Sequence, residues 1–197
     1  MSKPLLSGLT ADNLVDRLEA LSAVIVRESY LGEDVTIGDH MLQCAALAQA
    51  EGAPDALVAA ALLHDVGYYL DAAPDNENET QPARRHDAAA GRALAALLPE
   101  AAVEPVRLHV DAKRYLCAVE PDYRARLSPA SIHTMSLQGG IMDGQAAAAF
   151  AALPHAEDAC RLRRWDDAGK VRGADVPGFA AYRPLLERLV ALAQQGG

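Results

Sequence analysis

Ala59-Ala60-Ala61-Leu62-Leu63-His64-Asp65-Val66-Gly67 is the stretch that decides how this chain is read. An apolar, helix-forming run ends in a histidine and an aspartate side by side. Polar groups carried into a core must be satisfied there. A metal ion is the partner that rewards an imidazole and a carboxylate together. Further candidate ligands stand at His40 upstream, at His86 and His109 downstream, and at Asp166 far downstream. That set can hold two metal ions.

The 197 residues fit one domain, 1–197, with enough chain for a sizeable core. Hydrophobic residues make up 51% but aromatics only 5%, because alanine supplies much of the apolar content. Alanine is the best helix former, so an all-α fold is expected. The apolar runs fall short of the roughly 20 residues that cross a bilayer. Met1-Ser2-Lys3-Pro4-Leu5 has no signal-peptide core, and a cytoplasmic protein is the expectation. A net charge of -9 argues against nucleic acid or an anionic membrane as partner. It leaves room for a small anionic substrate at a locally positive site. Cys44, Cys117 and Cys160 are odd in number and lack CxxC spacing, so reduced thiols are expected.

Thr10 to Arg27 reads as an amphipathic helix with Leu14, Leu18, Leu21 and Ile25 at helical spacing. Thr36 can cap a second helix that carries His40 and stops at Gly52. A third runs from Pro54 to His64-Asp65 and ends near Gly67. The acidic, proline-bounded segment from Asp71 to Pro82 reads as a loop. Helices follow at about 84–98, 103–118, 141–153 and 155–168, with a last one from Pro184 to Gln195; Asp143 looks like an N-cap. No stretch alternates for a strand's length, so little or no sheet is expected.

The order His40, His64-Asp65, Asp166 resembles that of HD-domain proteins over nearly the whole chain. The resemblance implies a helical bundle with a dinuclear metal site in its core. Asp65, about 100° around the helix from His64, can lend one oxygen to each of two metals. Asp166 closes the first metal's sphere, while its neighbour Asp167 competes for that part. The closing Asp of HD domains is followed four residues on by Lys, as Asp166 is by Lys170. His86 and His109 are what a second metal requires. Asp87 reads as solvated or as an orienter of His86, and His133 and His155 as surface or structural. Nitrogen-rich ligation suits iron.

Three local features point to the oxygenase branch of that group rather than to its phosphohydrolases. Tyr30-Leu31-Gly32-Glu33 lies just before the first ligand helix, Lys113 follows His109 by four residues, and Arg163 precedes Asp166 by three. These resemble the HD-domain mixed-valent di-iron phosphonate oxygenases. The resemblance implies two iron ions as Fe(II)/Fe(III) and dioxygen as co-substrate. It also implies cleavage of a carbon-phosphorus bond to a carboxylate and phosphate. Tyr30 and Glu33 match the family's lid pair. Lys113, Arg163 and Gln138, in Leu137-Gln138-Gly139-Gly140, match its phosphonate-binding residues. Thr134, with Ser131 and Ser136 as alternatives, matches a hydroxyl that also binds phosphonate.

Where a primary-amine enzyme of this family has a histidine, this chain has Tyr68. A trimethylammonium cannot donate hydrogen bonds and suits aromatic faces near carboxylates. Tyr30, Tyr68, Tyr69 and Tyr115 could supply such faces. The expected substrate is therefore 1-hydroxy-2-(trimethylammonio)ethylphosphonate, giving glycine betaine and phosphate. The same chemistry on 2-amino-1-hydroxyethylphosphonate, giving glycine, is the nearest alternative. A metal-dependent HD phosphohydrolase and a non-catalytic HD signalling module remain open at this stage.

Overall fold

The computed structural model describes residues 6–30, 32–70 and 86–196, and the expected acidic loop lies outside them. Among the described residues the secondary structure is helical, with two isolated bridges, Leu6 with Leu70 and Ser29 with Thr36. The all-α expectation therefore holds, and the bundle is compatible with an HD-type architecture.

Helix α1 (Leu14–Ile25) buries Leu14, Leu18, Leu21 and Ile25, the stripe read from the sequence. It starts later than Thr10 because residues 10–13 form a separate turn: Asn13 Nδ2 donates to the Gly8 carbonyl, and its Oδ1 accepts from Thr10 N. Thr36 caps α2 (Ile37–Ala50) by accepting from Asp39 N at 3.0 Å. In α3 (Asp55–Leu63) every residue from Leu57 to Leu63 is buried. A helix apolar on all sides belongs in the middle of a core. Each such leucine contributes about 1.5–3 kcal/mol of burial.

The third helix ends earlier than its sequence suggests. Leu63 is its last residue, His64 keeps helical angles, and Asp65 (φ -100°, ψ 3°) has left the helix for the sparsely populated bridge region. A 3-10 turn, Val66–Tyr69, follows. Asp65 thus sits at a joint between two helical segments rather than a regular step around one helix. Gly67 makes the joint possible, since a Cβ there would lie 1.9 Å from the His86 carbonyl oxygen.

Helices α4 (His86–Leu94) and α5 (Glu100–Val119) carry the downstream histidines. The long α5 begins before the expected residue 103 and tolerates Pro105 in its second turn. The sequence reading placed no helix where α6 (Tyr123–Arg126) and α7 (Pro129–Leu137) lie. The α7 start was marked by Ser128-Pro129, a cap followed by a proline at the first helical position. Helix α8 (Gly144–Ala151) is shorter than 141–153 because Asp143 is its cap, accepting from Ala146 N at 2.8 Å. Helices α9 (Ala156–Ala168) and α10 (Arg183–Gln195) complete the bundle. Helix α5 packs against α3, α4 and α9, and α2 packs against α3 and α9. All six candidate ligands come from these five helices or the joint after α3.

Candidate metal centre and adjoining pocket

The structure brings all six residues together in its interior. His40, His64, Asp65, His86, His109 and Asp166 are each no more than 5% exposed. They divide into two groups about one carboxylate. Asp65 Oδ2 lies 3.5 Å from His64 Nε2 and 3.9 Å from His40 Nε2, while its Oδ1 lies 3.4 Å from His86 Nε2. Asp166 Oδ1 joins the first group, 3.4 Å from His40 Nε2. His109 joins the second, its Nε2 being 3.1 Å from His86 Nε2.

The imidazoles are held by the main chain. His64 Nδ1 donates to the Ala61 carbonyl at 2.9 Å, His109 Nδ1 to Val106 at 2.6 Å, and His40 Nδ1 to Gly169 at 2.9 Å. A carbonyl only accepts, so each of these Nδ1 atoms carries a proton and each ring turns its Nε2 inward. Yet His40 Nε2 and His64 Nε2 are only 3.1 Å apart. Two facing lone pairs repel unless a proton or a metal cation lies between them. Atoms that share an ion at about 2.1 Å stand roughly 3.0–3.4 Å apart at right-angled or tetrahedral geometry. Asp65 Oδ2 and Asp166 Oδ1 are also buried without a hydrogen-bond partner. The donor set therefore fits a cation in each group.

Burial works against charge on His40, but Cys44 and Asp166 outweigh it and raise its pKa well above the usual imidazole value, so its Nε2 favours a proton or a metal cation. Burial, with the nearby His86 and His64, holds the His109 pKa down to about 3, and burial also lowers His64. Both are neutral donors at ordinary pH. Burial alone would raise the carboxyl of Asp65, but His64 and His86 hold it well below the usual range; Arg163 and His40 do the same for Asp166. Cys44 also comes within ligand range of His40 and His64. Its thiol points instead to the Trp165 carbonyl at 3.4 Å, and burial raises its pKa, so the carboxylates are the better ligands.

A pocket of about 50 Å³ adjoins the two groups, lined by every expected substrate and lid residue: Tyr30, Glu33, Tyr68, Lys113, Thr134, Gln138 and Arg163. Helix α7 brings Thr134, and Lys113 Nζ donates to its hydroxyl at 3.0 Å. Gly139 and Gly140 (φ 101° and 71°) let the chain turn out of α7 just after Gln138. Tyr30 stacks on His40, with ring centres 4.4 Å apart and planes at 18°; Tyr68 stacks on His86 at 4.3 Å and 11°. Burial lowers the Lys113 pKa to about 7, with the Arg163 charge adding to the effect.

Several alternatives are resolved by position. Asp166 lies among the candidate ligands, whereas Asp167 bonds Arg163 and Tyr123. Arg163 lines the pocket, whereas Arg164 pairs with Glu120 on the surface. Ser131 shares the pocket with Thr134, while Ser136 is exposed and donates to the His133 carbonyl at 2.6 Å. Of the four tyrosines, Tyr69 is committed to Glu28 at 2.5 Å and Tyr115 packs on Phe150, so only Tyr30 and Tyr68 offer rings to the pocket. Asp87 is half-buried next to His86, and its Oδ1 is enclosed without a hydrogen-bond partner. His133 is exposed and His155 pairs with Asp158, as expected of structural residues.

Lys170 is the pocket residue whose part the sequence reading missed. Its Nζ lies 3.2 Å from Glu33 Oε1, 3.3 Å from Ser131 Oγ and 3.9 Å from Asp166 Oδ1. Its position four residues after Asp166 was the available signal, and the structure puts it just past the Gly169 cap of α9. Glu33 is tied down further by Ser128 Oγ, which donates to it at 2.6 Å.

No protein-family model matches the chain. Curated relatives do. A [1-hydroxy-2-(trimethylamino)ethyl]phosphonate dioxygenase (glycine-betaine-forming) of Leisingera caerulea is 38% identical over 190 residues, covering 96% of this chain and 97% of the relative. A hydroxymethylphosphonate dioxygenase of Gimesia maris is 40% identical over 161 residues, covering 81% and 80%. An uncharacterized protein of Acanthamoeba polyphaga mimivirus is 29% identical over 159 residues, covering 80% and 73%.

Proposed function

The chain belongs to the family of phosphonate dioxygenases that these relatives represent, and from that premise we propose that it cleaves the carbon-phosphorus bond of 1-hydroxy-2-(trimethylammonio)ethylphosphonate with dioxygen, as one HD domain built around two iron ions. The observation that carries this reading is the divided carboxylate of Asp65, one oxygen toward each histidine group, beside a pocket holding Lys113 and Arg163. Family membership favours an oxygenase over the hydrolase and signalling alternatives.

His40, His64, Asp65 and Asp166 would hold one iron; Asp65, His86 and His109 would hold the other. When bound as a mixed-valent Fe(II)/Fe(III) pair, the ions would supply dioxygen binding and the oxidation of C1. The remaining work falls to the side chains. Lys113, Arg163, Gln138 and the Thr134 hydroxyl bind the phosphonate oxygens by charge-assisted hydrogen bonds. That grip fixes the C1 hydrogen toward the metals, the proximity contribution to rate. Tyr68, Tyr30 and Glu33 face the quaternary ammonium end. Tyr30, stacked on His40 at the pocket, moves aside as the phosphonate enters, the lid part that the family resemblance gives it. The reaction balances as hydroxyphosphonate dianion plus dioxygen giving carboxylate, hydrogen phosphate and a proton.

The test is iron content together with phosphate and glycine betaine release, with and without oxygen. Trimethylammonium, primary-amine and hydroxymethyl phosphonates are compared as substrates. Expected are about two irons per chain, strict oxygen dependence, and highest kcat/KM for the trimethylammonium compound, reversed toward the primary amine in Tyr68→His. Anaerobic turnover sinks the oxygenase reading; equal turnover of all three sinks the role of Tyr68.

A pH dependence follows from Lys113. Its pKa lies near 7, so the ammonium is present below that pH and lost above it. Because the anion needs the ammonium, kcat/KM should fall as pH rises through about 7. Bound phosphonate restores the charge, so kcat should change less. Lys113→Arg, charged throughout, should remove the alkaline limb from a pH–rate profile.

A further inference from the structure

Arg163 is 4% exposed, and its guanidinium donates in four directions. One terminal nitrogen reaches Asp166 Oδ2 at 2.5 Å; the other reaches Asp167 and, at 3.3 Å, Ser131 Oγ; Nε reaches the Tyr123 hydroxyl at 3.3 Å. Tyr123 in turn donates to Asp167 Oδ2, closing a three-membered ring of bonds. Tyr123 comes from α6, is itself buried, and packs with Leu116 and Leu127. Arg163 lines the pocket, whereas Tyr123 and Asp167 line a separate surface cleft of about 470 Å³ with Arg126 and Arg164.

This arrangement solves a conflict. Asp166 is also a candidate metal ligand, so a guanidinium held by Asp166 alone would shift whenever that carboxylate turned toward a cation. Four of the guanidinium's five N–H donors are taken, which leaves one on the Asp166-facing nitrogen for an oxyanion, and the aim of that donor follows the plane of the group. A second carboxylate on the other terminal nitrogen, itself bonded by a buried phenol, holds the plane independently of the metal.

We propose that Asp167 and Tyr123 are positioning residues for Arg163, forming a bracket that holds its guanidinium toward the phosphonate from the far side of the pocket wall. The proposal rests on the part assigned to Arg163 in the function above. Neither residue lines the pocket, and Arg163 is the pocket-lining side chain to which both are hydrogen-bonded. The cleft behind it is open and flanked by arginines, which makes the Asp167 position reachable by a small carboxylate from solvent.

Asp167→Ala should raise KM for the phosphonate about tenfold, the range seen when a partner that orients a functional group is lost. Both kcat, within about twofold, and bound iron should be unchanged, the pattern of lost substrate binding. Tyr123→Phe should move KM the same way by less. Asp167→Asn, whose amide oxygen still accepts from Arg163, should recover most of the loss. Added formate should lower KM in Asp167→Ala toward that of the unaltered enzyme, and should not do so in the unaltered enzyme. An Arg163→Gln variant is the reference. If Arg163→Gln raises KM but Asp167→Ala and Tyr123→Phe do not, the bracket is wrong. If Arg163→Gln itself leaves KM unmoved, the assigned part of Arg163 is what fails. Loss of iron or of melting temperature with KM unmoved also overturns the proposal, because those mark a merely structural role.

Discussion

Replacing Asp65 by alanine should empty both proposed iron positions at once, lowering bound iron from the proposed two per chain to near zero and turnover by more than about a hundredfold. The reason is the division of its oxygens, Oδ2 toward His40 and His64 and Oδ1 toward His86. No other candidate ligand faces both groups. Alanine at His86 or His109 should cost one ion and leave the first group of His40, His64, Asp65 and Asp166 filled. Metal analysis of the purified variants, beside their melting temperatures, separates the two patterns. Retention of one tightly held ion in Asp65→Ala would falsify the sharing of that carboxylate.

Gly67→Ala is the second large effect, and it involves no ligand. The added methyl would meet the His86 carbonyl oxygen at 1.9 Å, its carbonyl carbon at 2.6 Å and its Cα at 2.9 Å. All three belong to the backbone, so relief requires the start of α4 to move. His86 Nε2 must then leave its places 3.4 Å from Asp65 Oδ1 and 3.1 Å from His109 Nε2. The expected result is loss of the second ion alone, turnover lowered about a hundredfold, and stability reduced by about 1–3 kcal/mol. Spectroscopic counting of the irons checks it; a fully loaded, active Gly67→Ala protein would show that the close approach is dispensable.

The all-helical bundle was legible because periodic apolar residues such as Leu14, Leu18, Leu21 and Ile25 report a buried face directly. The placement of the six candidate ligands was legible for a different reason: histidines and aspartates inside apolar helices are costly without a common partner. The exit of Asp65 from α3 was not legible. Nothing in His64-Asp65 breaks a helix, and the close approach of Gly67 to the His86 backbone that accompanies the exit lies nineteen residues of sequence away, invisible to any local pattern. The split between Tyr68 and Tyr69 was hidden in the same way, since neighbours on a tight turn face different directions. Lys170 and the pair Asp167 and Tyr123 escaped because charged and phenolic side chains on helices usually face solvent. Only the meeting of α6, α7 and α9 shows that these do not.

Two of the histidines, His64 and His109, give their Nδ1 protons to carbonyls three residues earlier in their own helices. Their aim is therefore a property of the scaffold and does not depend on whether anything is coordinated. A protein stripped by a chelator is expected to keep the aim of these two rings and to take metal back without refolding. Cobalt or manganese could then be introduced in place of the proposed iron, turning a site that is hard to observe into one that reports its own coordination by colour or by magnetic resonance.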